Sequence, residues 1–287
     1  MTVSLARKLL CASRQAYNIS LAGPVPAAPQ SDCIGWIAAP TGFVYGFDRI
    51  DAVLLGETAT EIIVAFRGTL PPHSPDTRQT ILDWLNDCDA ALVHHPNLPG
   101  LVHQGFLGTL NALWPALSPA VGALSAASPG KPVHVTGHSK GGAVADLAAM
   151  YVRNLLPATV PVMVTTFAAA KPGDANFAQA YDQIITHSVR YEFQDDVVPH
   201  IPPSDQFFTM FASVPSLAPT VQHLNHGYSP VGDLIFIDWN RTLVSDSPVL
   251  RFQRYAHLAE LVVTFGYPTI IADHSIDAGS GYDSGVV

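Results

Sequence analysis

The sequence predicts an α/β fold, with a mostly parallel central sheet and helices on both of its faces. Three observations predict this class. Short apolar segments alternate with longer segments of helical periodicity along most of the chain. Some apolar segments contain no polar residue, which is typical of strands buried on both faces. A chain of 287 residues with 48% hydrophobic and 13% charged residues suits a single packed domain spanning residues 1–287.

The individual elements follow from apolar periodicity and from the positions of glycine and proline. The predicted elements are, in order, a helix at 3–17, strands at 43–56 and 61–67, helices at 80–92 and 103–126, a strand at 132–137, a helix through 144–155, a strand at 160–167, a helix at 175–183, strands at 189–193 and 234–238, and a helix at 249–265. Pro115 and Pro119 predict an interruption of the long helix. The Gly/Ser-rich tail from Gly279 is expected to fray.

Charge and cysteine content exclude several classes of protein. The formal net charge is −9 and no Lys/Arg-rich run occurs, so nucleic acid is not an expected partner. The three cysteines, Cys11, Cys33 and Cys88, are too few for a disulfide framework, and we expect three buried thiols, with a single bridge as the alternative. No signal peptide and no apolar run long enough to cross a membrane are visible. These features favour the cytoplasm over secretion. The oligomeric state has no signature in the sequence.

A Gly-x-Ser-x-Gly motif lies between a predicted strand and a predicted helix, at Gly137-His138-Ser139-Lys140-Gly141. That context is what a nucleophile elbow requires: a sharp turn that presents the serine, with glycines where the backbones approach closely. The N-terminus of the following helix offers N–H groups to a developing oxyanion. The motif therefore predicts Ser139 as the nucleophile of an α/β-hydrolase fold.

A serine needs a base, and in this fold the order along the chain is serine, acid, histidine. Asp195 and Asp196 follow the predicted strand at 189–193, so either carboxylate would lie at the carboxyl edge of the sheet. For the base we favour His274, in a loop after the last predicted helix, over His257, which lies within that helix. Order and placement alone leave both pairs of alternatives open.

Four separated blocks resemble one family, the class 3 or fungal-type triacylglycerol lipases. They are Ala65-Phe66-Arg67-Gly68-Thr69, Val102-His103-Gln104-Gly105-Phe106, Val135-Thr136-Gly137-His138-Ser139-Lys140-Gly141-Gly142 and Asp196-Val197-Val198-Pro199-His200-Ile201-Pro202-Pro203. The likeness covers about residues 60–205, is looser near the C-terminus, and gives little signal in the first sixty residues. Four blocks in register are more specific than any one of them.

The resemblance implies roles for particular residues. In that family the acid directly precedes a Val-Val-Pro stretch, which selects Asp196, and the histidine lies near the C-terminus, which supports His274. The oxyanion donors of the family correspond here to Thr69 and Lys140. Lys140 departs from the aliphatic residue usual after the serine. Its ammonium either pairs with a nearby carboxylate or meets an anionic group of the substrate.

The resemblance also implies a lid, matched by an insertion at about 70–93. Within it Ile81, Trp84, Leu85 and Cys88 form an apolar stripe that would meet lipid when the lid opens. The alternative is that the stripe packs permanently on the core. Three residues are expected at the substrate or the lid: Trp84, Val198 and Pro202.

The function predicted from this reasoning is that of a serine carboxylic-ester hydrolase, a lipase that acts on acylglycerols through an acyl-enzyme. The alternatives are an esterase, a phospholipase or feruloyl-esterase-like enzyme, and a non-catalytic binding protein on the same fold. A metal-dependent hydrolase is weaker because no His-Glu-x-x-His motif occurs among the twelve histidines. No cofactor or metal is expected. The expected partners are the ester or lipid substrate and a lipid interface that the protein contacts peripherally.

Overall fold

The computed structural model describes residues 3–19, 33–46, 51–69, 91–213, 215, 218 and 222–286. The strands within these residues are β1 (Thr41–Tyr45), β2 (Asp51–Glu57), β3 (Ile62–Phe66), β4 (Leu92–His94), β5 (Leu101–His103), β6 (Val133–His138), β7 (Val162–Phe167), β8 (Gly173–Asp174), β9 (Ser188–Phe193), β10 (Tyr228–Ser229), β11 (Asp233–Ile237) and β12 (Leu243–Ser245). The helices are α1 (Leu5–Ala16), α2 (Gln104–Ala127), α3 (Lys140–Leu155), α4 (Ala175–Ile184), α5 (Asp205–Ala212), α6 (Pro248–Val263), α7 (Tyr267–His274) and α8 (Gly281–Gly285), with a 3₁₀ turn at Val198–His200.

The central sheet has the strand order β1-β2-β3-β6-β7-β9-β11-β12 across the described residues. Its middle strands, from β3 to β11, run parallel to one another. Antiparallel pairs close both edges, β1 and β2 on one side and β12 on the other. A smaller antiparallel sheet has the order β10-β8-β5-β4. Parallel strands need crossover connections, and these bring helices onto both faces of the main sheet.

The apolar run of β3 shows how the core is divided between those faces. Ile62, Val64 and Phe66 belong to one buried cluster, in which α2 and α3 cover the sheet. Ile63 and Ala65 belong to a second cluster, in which α1 covers the opposite face. Because alternate side chains of a strand point to opposite faces, both sets must be apolar in a sheet covered on both sides. The predicted mostly parallel sheet with helices on both faces is therefore confirmed.

Several predicted boundaries were wrong. The segment predicted as one strand at 43–56 is two strands, β1 and β2. The helix predicted at 80–92 lies mostly outside the described residues, but Leu92 is in β4. Helix α2 continues without a break through Pro115 and Pro119. Tertiary packing of its apolar face outweighs the lost backbone hydrogen bonds, since most helical stability comes from packing.

The C-terminal tail is packed rather than frayed. Helix α8 places Tyr282 in the core with no exposed surface. Asp283, the next residue, accepts hydrogen bonds from Arg14, and from Arg7 through its backbone carbonyl, both residues of α1. The tail thus joins the first helix to the sheet, a role that a Gly/Ser-rich composition does not reveal.

Cys11 and Cys33 form a disulfide, so the expectation of three thiols was wrong. Cys11 lies in α1 and is fully buried. A sparse cysteine count cannot reveal which pair the fold brings within bonding distance. Cys88 lies outside the described residues.

Reducing this disulfide is expected to lower the free energy of unfolding by about 3 kcal/mol. The reason is that the bond closes a chain segment between residues 22 apart and so limits the unfolded ensemble. Urea unfolding with and without dithiothreitol measures the effect. The Cys11→Ala/Cys33→Ala variant is the control, because its midpoint should not respond to the reductant. Equal midpoints for the oxidised and reduced protein would contradict the prediction.

No helix among the residues described is both long enough and apolar enough to span a membrane.

Candidate functional site

Ser139 lies at a sharp turn between β6 and α3, with φ 60° and ψ −134°. A positive φ is unfavourable for a residue with a side chain, so the surrounding packing must hold it there. Two glycines allow that packing. A Cβ on Gly137 would lie 2.2 Å from the carbonyl oxygen of Gly141, and one on Gly141 would lie 2.4 Å from that of Phe66. The motif therefore has the strand–turn–helix geometry of a nucleophile elbow.

The structure brings together the serine, histidine and aspartate selected from the sequence. His274 Nε2 lies 3.0 Å from Ser139 Oγ, and His274 Nδ1 lies 3.0 Å from both carboxylate oxygens of Asp196. The carboxylate can only accept, so Nδ1 carries the proton and Nε2 accepts from the serine hydroxyl. All three residues are buried, with 8%, 7% and 1% of Ser139, His274 and Asp196 exposed. Such an arrangement can withdraw the serine proton during nucleophilic attack.

Two further donors hold Asp196. The backbone N–H of Val198 donates to Oδ1 at 2.9 Å, and the hydroxyl of Tyr282 donates to Oδ2 at 2.8 Å. Burial, and then the charge of Asp196, raise the pKa of Tyr282 well above its usual value. The phenol therefore keeps the proton that it donates. Sequence reasoning missed Tyr282, because a tyrosine in a Gly/Ser-rich tail carries no periodic signal.

The backbone of His274 is held by His138. His138 Nε2 lies 2.8 Å from the carbonyl oxygen of His274, and its Nδ1 lies 2.8 Å from the hydroxyl of Tyr17. Burial, followed by the charge of His274, lowers the pKa of His138 well below its usual value. Neutral His138 thus donates through Nε2 and accepts from Tyr17 through Nδ1. Tyr17 follows α1, so the first helix contributes to the site.

The turn Arg67-Gly68-Thr69 lies against the elbow. A Cβ on Gly68 would come within 2.7 Å of the carbonyl oxygen of His138 and 3.1 Å of Ser139 Cβ. Thr69 follows this close approach and is exposed. On the other side, Lys140 is the first residue of α3, where a backbone N–H has no acceptor within its own helix. Gly68, the residue before Thr69, therefore packs against the elbow, and Lys140 directly follows the serine.

The side chain of Lys140 pairs with a carboxylate, the first of the two possibilities considered from the sequence. Its Nζ lies 2.8 Å from Asp51 Oδ1, and the hydroxyl of Thr109 donates to the same oxygen at 3.0 Å. Asp51 begins β2 and Thr109 lies in α2, so three elements meet beside the serine. Nothing in the sequence around Asp51 indicates this contact.

The alternative acid and base, Asp195 and His257, lie together but apart from the serine contacts. Asp195 accepts from the indole N–H of Trp239 at 2.9 Å, and its Oδ1 lies 3.3 Å from His257 Nδ1. The His257 side chain is 50% exposed. His274 was predicted in a loop but is the last residue of α7. The end of that short helix directs its ring at Ser139.

The three residues expected at the substrate or the lid have different surroundings. Trp84, with most of the predicted lid, lies outside the described residues. The Val198 side chain is 3% exposed within the core, and this residue meets the site through its backbone N–H. Pro202 is buried, and its carbonyl oxygen accepts from Lys171 Nζ at 3.1 Å. The predicted insertion at 70–93 ends in a strand, because β4 includes Leu92 and Val93.

A third carboxyl group lies next to His274 in the sequence. The pKa of Asp273 is raised to about 7, chiefly by burial. The hydrogen bond from the backbone N–H of Asp195 opposes this rise, and the charges of Asp195 and Asp196 add to it. Its Oδ2 accepts that N–H at 3.1 Å. An acid whose pKa is higher in the folded protein binds more protons there than when unfolded. Its contribution to stability therefore falls as pH rises from about 4 to about 7 and stays low above that range.

The Asp273→Asn variant is expected to be more stable than the wild type at pH 8, by on the order of 2 kcal/mol after allowance for solvent screening. At pH 5 the gain should be less than half as large, since the folded wild type is then protonated and only the unfolded chain has lost the proton. Urea unfolding at both pH values measures the difference. Asp246→Asn is the control, because hydrogen bonds from Arg251 lower the pKa of that carboxyl and no gain at pH 8 should appear. A gain for Asp273→Asn of the same size at pH 5 would contradict the prediction.

Over the described part of the chain, no group of three or more His, Cys, Asp or Glu residues is placed to hold a metal ion.

Comparison with known proteins gives a consistent set of relatives. Residues 63–206 match the family described as lipase (class 3). Phospholipase A1-II 4 of Oryza sativa subsp. japonica is 30% identical over an alignment of 217 positions, and the match covers 65% of this chain and 50% of that protein. Secreted mono- and diacylglycerol lipase 1 of Fusarium solani is 31% identical over 144 residues, 50% of this chain and 40% of that protein. The lipase of Rhizomucor miehei is 29% identical over 164 residues, 55% and 42% of the two chains.

These matches span no more than half the length of each of those three relatives. Solved structures show the same fold. One is a triacylglycerol lipase whose catalytic centre is described as a serine protease triad, with a TM-score of 0.60 and 22% identity over 81% of this chain and 78% of that chain. The Rhizomucor miehei lipase propeptide complex has a TM-score of 0.61 and 21% identity over 83% and 68% of the two chains.

Proposed function

Because this chain belongs to the class 3 lipase family, we propose that it is a serine carboxylic-ester hydrolase that acts on acylglycerols through an acyl-enzyme. The observation that carries the proposal is the hydrogen-bonded sequence Ser139–His274–Asp196 at the elbow. In this proposal residues 1–287 form a single domain, with the segment at about 70–93 as its lid.

In the proposed mechanism Ser139 Oγ attacks the ester carbonyl carbon while its proton passes to His274 Nε2. Asp196 orients the imidazole and stabilises its charged form. Collapse of the tetrahedral intermediate breaks the carbon–oxygen bond to the alcohol, which leaves with the proton from Nε2. The acyl group remains on Ser139. Water then gives a proton to Nε2 and attacks the acyl carbon, and the second collapse returns the proton to Ser139 and releases the acid.

The oxyanion of both tetrahedral intermediates is assigned to the backbone N–H groups of Lys140 and Thr69, with the Thr69 hydroxyl as a further donor. Support comes from the position of Lys140 at the start of α3, where the helix dipole adds positive potential. Support for Thr69 comes from the close contact of Gly68 with the elbow. Loss of one such donor is expected to raise the barrier by roughly 3 kcal/mol.

Uncharged acylglycerols are the substrates that the charges around the serine favour. The ammonium of Lys140 is compensated by Asp51, so it does not stand free to attract an anion. The net charge of −9 works against association with strongly anionic lipid surfaces. Relatives named as a phospholipase A1 and as a mono- and diacylglycerol lipase define the two substrate classes to compare. Trp84, Val198 and Pro202 stay proposed as residues near the acyl chain or the lid.

We propose that the protein is secreted into an oxidising compartment, and not cytoplasmic as the sequence features favoured. The Cys11–Cys33 disulfide supports it, because such bonds persist mainly outside the reducing cytosol. Two relatives carry the word secreted in their names. Peripheral contact with a lipid interface accompanies this assignment.

The test is covalent labelling combined with a substrate series. A fluorophosphonate probe should label the folded protein, and peptide mass spectrometry should find the label on Ser139. Labelling should inhibit hydrolysis of tributyrin emulsions and of p-nitrophenyl butyrate in proportion to the serine modified. Heat-denatured protein is the control and should not react. Undiminished hydrolysis by fully labelled protein, or a label on another serine, would refute the mechanism.

The substrate class is decided by hydrolysis of neutral acylglycerols and phosphatidylcholine of equal chain length, above and below their solubility limits. The proposal expects faster hydrolysis of the neutral lipid and a rise in rate when an interface forms. Preference for the phospholipid would assign the chain to the phospholipase alternative. Hydrolysis of soluble esters alone would make it an esterase.

A further inference from the structure

Lys140 combines two features that a site for neutral esters does not need together. Its backbone N–H is the proposed oxyanion donor, and its side chain ends in an ammonium group next in sequence to Ser139. That ammonium lies 2.8 Å from Asp51 Oδ1. Thr109, which is 8% exposed, donates to the same oxygen. The carboxylate is therefore held from α2, independently of Lys140, and is positioned to meet the ammonium.

Asp51 lies at the same end of the central sheet as the elbow. It begins β2, which runs antiparallel to β3, and Val53 pairs with Phe66 at the end of β3. Asp51 therefore lies beyond that end, on the side of Arg67. Burial lowers the pKa of Arg67, and the charge of Asp51 counteracts this shift. Asp51 thus interacts with two cations, with Lys140 as an ion pair and with Arg67 through its charge.

Solvent reaches this ion pair, with 25% of the Lys140 side chain and 15% of the Asp51 side chain exposed. A partly exposed pair contributes little to stability. A solute that enters beside Ser139 does, however, experience the sum of the two charges at short range. Removing one partner leaves a full charge at the edge of the site, where the effective dielectric constant is well below that of water.

We propose that Asp51 determines the charge selectivity of the ester site, by compensating Lys140 so that uncharged esters are accepted and anionic ones gain no advantage. This inference rests on the proposed ester hydrolysis and adds a specificity-determining residue to it. Without Asp51 the site would carry excess positive charge and would favour esters with an anionic group near the reacting carbonyl. Without Lys140 the site would lose one positive charge, and selectivity would shift in the opposite direction.

Three soluble esters of equal acyl length test this proposal. They are neutral p-nitrophenyl hexanoate, the p-nitrophenyl half-ester of adipic acid with a carboxylate on the acyl side, and 4-(hexanoyloxy)benzenesulfonate with a sulfonate on the alcohol side. The measured quantity is the ratio of kcat/KM for each anionic ester to that for the neutral one, by pH-stat. It is compared in wild type, Asp51→Asn, Lys140→Met and the double variant. Asp246→Asn removes a carboxylate from a surface ion pair and serves as the matched control.

In Asp51→Asn the ratio should rise about tenfold for at least one of the two anionic esters. The gain should shrink as salt is added, because the pair is partly exposed. In Lys140→Met the ratio should fall, and in the double variant it should return close to the wild-type value. Asp246→Asn should leave it unchanged. Opposite shifts that cancel in the double variant are not expected from a purely structural role.

Ratios in Asp51→Asn that stay at the wild-type value for both anionic esters would overturn the proposal, as would a rise in Lys140→Met. If Asp51→Asn does not fold, the direction of the shift in Lys140→Met decides alone. Failure of ester hydrolysis itself is recognised separately, because the wild type would then cleave none of the three esters by a Ser139-dependent route. A wild type that cleaves the neutral ester through Ser139, with ratios indifferent to Asp51, refutes only the charge selectivity.

Discussion

Replacement of Ser139 by alanine is expected to lower kcat/KM for ester hydrolysis by roughly 10⁴- to 10⁶-fold. Alanine removes the hydroxyl whose oxygen lies 3.0 Å from His274 Nε2. No acyl-enzyme can then form. Some acceleration over water should survive, because the oxyanion donors and the binding surface remain. Initial rates on p-nitrophenyl butyrate, with titration of active sites, measure the loss.

A change of fold must be separated from this loss of chemistry. Alanine keeps the Cβ of serine, so the strain of φ 60° is unchanged and the melting temperature should be close to that of the wild type. Ser213→Ala is the matched control, since that hydroxyl is exposed and donates to the carbonyl of Met210 in the preceding helix. Activity of folded Ser139→Ala within tenfold of the wild type would end the proposed mechanism.

The Asp196→Asn variant is expected to lose about 10⁴-fold in kcat. Asp196 now accepts four contacts, two from His274 Nδ1 and one each from Val198 and Tyr282. An amide presents one oxygen and one NH₂ group. The NH₂ group favours the tautomer with Nδ1 unprotonated, and Nε2 then carries a proton and cannot accept another from Ser139. The loss should appear in kcat more than in KM, because the groups that bind the ester are unchanged.

The neighbouring carboxylate supplies the control for this prediction. Asp195→Asn keeps an acceptor for the indole N–H of Trp239 and removes the charge that faces His257. We expect its activity to stay within about tenfold of the wild type, since a contact outside the reacting groups contributes little to the barrier. If the two variants changed places, the acid would be Asp195 and the base His257. That outcome would reverse two assignments at once.

Local pattern was sufficient for the elbow and for the central strands. A strand buried on both faces must be continuously apolar, and a turn in which backbones meet at about van der Waals distance requires glycine at Gly137 and Gly141. Both requirements concern residues that are close together in the sequence. The order of serine, acid and histidine in this fold left Asp195 or Asp196 as the acid and His274 or His257 as the base, and the family resemblance then selected Asp196 and supported His274.

Local pattern was not sufficient where a residue's partner is distant in the chain. Tyr282 and Asp196 are 86 residues apart, and Lys140 and Asp51 are 89 apart. No periodicity, motif or turn preference in the sequence predicts either contact. The prediction that Pro115 and Pro119 interrupt the long helix was wrong for a related reason, since packing against the sheet outweighs local helix preference.

The residues that perform chemistry in the proposed mechanism were therefore identifiable from the sequence, Ser139 from its elbow motif, and Asp196 and His274 from their order in the chain and the family resemblance. The groups that position these residues or balance their charges could not be identified from the sequence. The phenol that holds Asp196, the histidine and tyrosine behind His274, the carboxylate that compensates Lys140 and the Cys11–Cys33 bond arise only when separate elements pack together. Their positions depend on the whole arrangement of helices around the sheet, which no short segment encodes.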